Sequence, residues 1–141
     1  MYTLEEFDKE KTKVFKYITY KKRTEHEIRT KFRGVIDNNM IDDIIEYLKE
    51  AGYVDDYNFM EKQVNQYMLL KNMSIKELKY KLYSKGIEPK LIDKYIENNI
   101  EELVEYEKKS AKNIINKKSS SMDKEEIKMF LLKKGYKGEN I

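Results

Sequence analysis

The chain has 141 residues, 40% of them hydrophobic and 39% charged, and its 29 basic and 26 acidic side chains leave a net charge of +3. It contains no cysteine and a single histidine, His26, which excludes disulfides, thiolate catalysis, cysteine-ligated zinc and multi-histidine metal sites. No run of about 18 apolar residues is present to cross a bilayer. The N-terminal M-Y-T-L-E-E-F-D-K-E lacks an apolar signal segment, so a cytoplasmic location is expected.

In chain order, Leu4, Phe7, Val14 and Ile18 share one face of a first predicted helix, opened by a capping box of Thr3 and Glu6. A second box, Thr24 with Glu27, precedes Ile28 and Phe32. Met40, Ile41, Ile44, Ile45 and Leu48 then mark an acidic amphipathic helix over 38–50. Asp55 and Asp56 precede a helix over 57–71 that carries Met60, Val64 and Tyr67. Asp56 reads as its N-cap rather than as a metal ligand, because no other oxygen ligands follow at a recognisable spacing.

The stretch S-I-K-E-L-K-Y-K-L-Y-S-K-G, Ser74 to Gly86, repeats the design. Ser74 and Glu77 form the box, Leu78 and Leu82 point inward, and Gly86 supplies a left-handed stop. Pro89 suits the first turn of the next helix, where Leu91, Ile92, Tyr95 and Ile96 line one face. Leu103, Ala111 and Ile114, with Val104 and Ile115, define another helix, and Lys117–Ser121 reads as a flexible joint. A last box, Asp123 with Glu126, precedes Ile127, Leu131 and a Lys134-Gly135-Tyr136 turn.

The boxes and their flanks describe one unit of three helices, written over 1–54, over 55–99 and, incompletely, over 100–141. Such units bury too little alone and stack on their neighbours. The expected fold is all-α, an elongated, curved array of tandem three-helix repeats.

Opposite the core of the second helix lie Lys76, Lys79, Tyr80 and Tyr83. The equivalent positions are His26, Arg29, Thr30 and Arg33 in the first copy, and Glu125, Lys128, Met129 and Leu132 in the third. The middle of the chain is also its basic part, with 8 basic against 5 acidic residues over 57–99. The plain reading of this stripe is a solvated helix face; the functional one is a grip on phosphates or on an acidic protein surface. Met129 and Leu132 are expected to pack against a neighbouring helix, and His26 to be an exposed helix residue. No phosphate-binding glycine loop or nucleophile elbow is present, and an enzyme is not expected.

The runs K-R-T-E-H-E-I, E-Y-L-K-E-A-G-Y-V-D-D-Y-N-F and S-I-K-E-L-K-Y-K-L-Y-S-K-G-I, in that order, resemble the RecX family of bacterial recombinase regulators. The family's Arg-Ser-x-x-Glu-Leu start falls on Arg23, Thr24, Glu27 and Ile28, with Thr24 in place of the usual Ser. Its Leu-x-x-x-Gly-Tyr-x-Asp-Asp hinge falls on Leu48, Gly52, Tyr53, Asp55 and Asp56, and its Lys-Gly-Ile turn on Lys85, Gly86 and Ile87. Lys134-Gly135-Tyr136 resembles its late turn, whereas R-G-V-I in the first unit departs from the Lys-Gly-Ile form.

The resemblance implies tandem three-helix repeats, no catalysis and no cofactor. It implies binding to RecA, mainly as the filament on single-stranded DNA, with inhibition of its ATPase, strand-exchange and co-protease activities in recombination, repair and the SOS response. Some members also touch DNA. The residues expected to face the filament or DNA are Arg29, Arg33, Lys76, Lys79, Tyr80, Tyr83 and Lys85. Thr24, Glu27, Gly52, Tyr53, Asp55, Asp56, Ser74, Glu77, Gly86 and Gly135 are expected to be mainly structural. A monomer is expected, and the competing reading is a helix-turn-helix-like DNA-binding module.

Overall fold

The computed structural model describes residues 1–141, and its regular structure is entirely helical. The helices are α1 (Leu4–Tyr20), α2 (Glu25–Phe32), α3 (Asn38–Glu50), α4 (Asp56–Leu70), α5 (Ile75–Ser84), α6 (Pro89–Asn98), α7 (Ile100–Lys118) and α8 (Lys124–Lys133). A short 3-10 turn, Gly138–Asn140, follows. No helix is long and apolar enough to cross a membrane.

The three second helices, α2, α5 and α8, each start on a closed capping box. The Glu27 N–H donates to Thr24 Oγ1 at 3.2 Å, and the Thr24 N–H donates to Glu27 Oε1 at 3.0 Å. Ser74 and Glu77 exchange the same bonds at 3.0 Å each, and Asp123 and Glu126 do so at 2.9 and 3.4 Å. Two donors that the helix itself leaves orphaned are thereby satisfied at each start. At α1 only half of the expected box forms, since Thr3 Oγ1 accepts from the Glu6 N–H without the reciprocal bond.

Two compact units divide the chain. The first comprises Met1–Phe59 with Lys85–Ile87, and the second comprises Met60–Ser84 with Glu88–Ile141. In the first, α1 and α2 pack on α3. Its core runs from Val14 and Ile18 through Ile28 and Phe32 to Ile41, Ile44, Ile45 and Leu48. Leu4, expected on that face, is 82% exposed, whereas Tyr2 and Phe7 on either side of it pack against the core. In the second, α7 packs against α5, α6 and α8. Ala111, Ile114, Ile127, Leu131 and Tyr136 form one cluster there.

Three local expectations change. Asp55, not Asp56, caps α4: its Oδ1 accepts from the Asn58 N–H at 3.0 Å. The helix begins one residue earlier than the pattern suggests, which moves the cap back with it. Lys117 and Lys118 belong to the last turn of α7, where cations complement the helix dipole, so the joint shrinks to Ser119–Met122. Met129 and Leu132 do not pack inward; they are 56% and 41% exposed, because Ile127 and Leu131 take the buried face of α8.

Candidate functional site

The motif residues first account for themselves structurally. Thr24 is fully buried, and its hydroxyl donates to the backbone carbonyl of Lys85 at 2.9 Å. Asp56 Oδ1 accepts from the Glu25 N–H, the first of α2, at 3.1 Å. Gly86 takes φ +79°, and a Cβ there would collide with His26, so both the backbone sign and the space require glycine.

The second unit repeats this joint. Ser74, also fully buried, donates to the Lys134 carbonyl at 2.8 Å. Glu107 Oε1 accepts from the Ile75 N–H, the first of α5, at 2.8 Å. A Cβ on Gly135 would lie 2.8 Å from Lys76 Cβ. The Thr and Ser caps therefore join one repeat to the turn of the next as well as starting a helix. Gly52 closes α3, its N–H bonded to Lys49 O, and lets exposed Tyr53 meet Phe15 edge-on at 5.0 Å.

Within the first unit the cations are heavily engaged. Arg29 Nε donates to Glu25 at 3.0 Å and its Nη1 to Asp42 at 2.5 Å, while Lys49 also pairs with Glu25. The Asp42 hydrogen bond holds the Arg29 guanidinium above its ordinary range. Burial alone would raise the Glu25 carboxyl, but the hydrogen bonds from Lys49 and Arg29 outweigh it and hold the group below its ordinary 4.5. Burial pushes Asp56 up. Arg33, at the end of α2, is exposed. The side chain of Lys85 is half-buried, and its carbonyl serves the Thr24 joint.

Within the second unit the stripe splits in two. Lys79 pairs with Asp93 of α6 at 2.9 Å, a hydrogen bond that raises its pKa. Lys76 and Tyr80 instead line a recess of about 280 Å³ with Glu77, Lys81, Lys133 and Lys134. Tyr80 is 74% exposed at its edge, and Lys134 lies 3.8 Å from Glu77. Tyr83 is 45% exposed on the same helix. A recess lined by four lysines, one glutamate, Met73 and an open tyrosine can take an anionic group with a flat or apolar neighbour.

Helical periodicity found Lys76 and Tyr80 but not Lys81, Lys133 or Lys134. The paired lysines before Gly135 were the available signal. Glu107 was missed as well, although it is 1% exposed and also accepts from the Lys137 N–H and from Asn140 Nδ2. A carboxylate inside an otherwise apolar helical face was its only mark.

Comparison with known proteins gives a consistent result. No family model matches the chain. It is 34% identical over 127 residues to the regulatory protein RecX of Finegoldia magna, covering 85% of this chain and 62% of that one. It is 29% identical over 150 residues to the regulatory protein RecX of Staphylococcus epidermidis, covering 100% and 55%. The chain thus spans between half and two thirds of the length of these relatives. The crystal structure of RecX from Lactobacillus salivarius superposes with a TM-score of 0.81 at 25% identity, covering 98% of this chain and 93% of that one.

Proposed function

Because this chain belongs to the RecX family, we propose that it is a non-enzymatic regulator acting in the cytoplasm on the RecA recombinase. In this reading it binds the RecA filament on single-stranded DNA and lowers the filament's ATPase, strand-exchange and co-protease activities. The repeats over 1–54, 55–99 and 100–141 are its binding modules, so that several weak contacts sum to a strong one where their spacing matches the filament.

The observation that carries the reading is the outer face of α5 with its recess: Lys76 and Tyr80 beside Lys81, Lys133 and Lys134. None of these side chains is needed by the core, and Tyr80 stands largely in solvent. Arg29 and Lys79 are held by Asp42 and Asp93. They contribute a fixed mixed-charge surface rather than free cations. Arg33, Tyr83 and Lys85 complete the proposed contact set.

The same recess favours one second reading, direct contact with single-stranded DNA, in which Tyr80 stacks on a base and the lysines meet phosphates. Co-sedimentation separates the two. The protein is mixed with labelled single-stranded DNA, with and without RecA, over a range of salt. The regulator reading expects the protein to pellet with RecA-coated DNA and to bind bare DNA weakly. Equal binding to bare DNA that falls steeply with salt supports the second reading instead.

A further inference from the structure

Two turns of this chain dock onto second helices, and the parts of the joint are the same both times. A hydroxyl cap donates to the carbonyl before a glycine, Thr24 to Lys85 at 2.9 Å and Ser74 to Lys134 at 2.8 Å. The glycine then presses on the helix two residues past the cap, Gly86 on His26 and Gly135 on Lys76. In the second joint the box glutamate also reaches the cation before the glycine, Glu77 to Lys134 at 3.8 Å.

Each half of this joint occurs once more, and within residues 1–141 the two do not meet. The turn Arg33-Gly34-Val35 has its glycine at φ +76°, like the other two, yet a Cβ on Gly34 would meet nothing within 4 Å. Arg33 is exposed, and Val35 is 65% exposed. The matching helix face is that of α8. Asp123, Glu125 and Glu126 stand at its start, and Met129 and Leu132 lie exposed beyond them. Glu125 occupies the place that His26 and Lys76 hold under their glycines. Met129 and Leu132 put an apolar pair on the outer face of α8, where the equivalent face of α5 carries Lys79, Tyr80 and Tyr83.

We propose that the α8 face of one copy of this chain binds the Arg33–Val35 turn of a second copy, head to tail. The halves are complementary: Arg33 faces three carboxylates, as Lys134 faces Glu77, and Val35 meets Met129 and Leu132. Asp123 has no hydroxyl to donate to a carbonyl. The joint between copies therefore lacks the bond that Thr24 and Ser74 make, and it is a reversible version of the internal ones. The two surfaces differ, so the contact is heterologous and can propagate from copy to copy. A chain joined in this way is an alternative to the monomer expected from the sequence. Serial placement along a protein filament is a consequence that rests on the regulator reading; the self-association does not.

The absence of native cysteine makes the test clean. Val35→Cys and Glu125→Cys are prepared separately, checked for native helicity by circular dichroism, and treated with a short bis-maleimide alone and as a mixture. The mixture is expected to yield a heterotypic dimer, and the double variant a ladder of products. Met129→Glu in the Glu125→Cys partner is expected to lower the heterotypic product about tenfold. No heterotypic product, or homotypic products of equal abundance, overturns the proposal. RecA and DNA are absent throughout, so failure here leaves the regulator reading intact, and loss of that reading leaves this result standing.

Discussion

The hydroxyl of Ser74 donates to the backbone carbonyl of Lys134 at 2.8 Å while it accepts from the N–H of Glu77 at 3.0 Å. One buried side chain thus both starts a helix and holds the turn of the next repeat. Thr24 does the same for Lys85 at 2.9 Å. Ser74→Ala loses the cap and strands a carbonyl, and is expected to cost about 2 kcal/mol. Thr24→Val, which keeps the shape and loses the oxygen, should cost a similar amount. Urea titration followed by circular dichroism measures both, and a change within error for either variant contradicts the double role.

The glycines of the second and third turns should not be equivalent to that of the first. All three have positive φ, so alanine at any of them pays about 1–2 kcal/mol in backbone strain. Gly34→Ala meets open space and should stop there. Gly86→Ala also collides with His26 and should be clearly the more destabilising of the pair. Equal melting temperatures for the two variants count against the close approach of Gly86.

Glu25 and Asp56 should give stability profiles of opposite slope. Glu25 has a folded pKa below its ordinary 4.5, so its contribution is present above that value and is lost as pH falls through the folded pKa. Glu25→Gln should therefore be less stable than the parent at neutral pH and approach it in acid. Asp56 has a folded pKa above its ordinary 3.8, so its charge opposes folding once pH rises through the folded pKa. Asp56→Asn, which keeps the oxygen that accepts from the Glu25 N–H, should match or exceed the parent at neutral pH and lose any advantage below about pH 3.8. Thermal melts across pH check both signs.

Function should separate the two halves of the α5 stripe. Tyr80→Ala and Lys76→Glu leave the core untouched and should weaken RecA inhibition several-fold with little change in melting temperature. Lys79→Ala should have the smaller effect, because its ammonium is already held by Asp93. Dose–response curves for RecA ATPase inhibition give the comparison, and the reverse ranking contradicts the placement of the recess at the interface.

Much of this fold was legible because capping boxes and helical faces are local. Thr24 with Glu27, Ser74 with Glu77 and Asp123 with Glu126 each span three residues, and each closes as the sequence suggests. What stayed hidden depends on distant partners. The joint from Thr24 to Lys85 crosses 61 residues, and nothing near Thr24 announces it. Periodicity marks Lys76, Lys79 and Tyr80 as outward-facing, but it cannot tell that α6 brings Asp93 to one and the turn after α8 brings Lys134 beside the others. Met129 and Leu132 depart from expectation for the same reason: an apolar outer residue reads as buried, and only the placement of distant elements shows that no helix of residues 1–141 covers this pair.

Regulation of RecA through the outer helix faces of this chain is checked by titrating the protein into a RecA–single-stranded-DNA ATPase assay. Inhibition is expected at sub-stoichiometric protein, and it is expected to weaken with Lys76→Glu and with Tyr80→Ala. An ATPase rate unchanged by a molar excess of folded protein would contradict it.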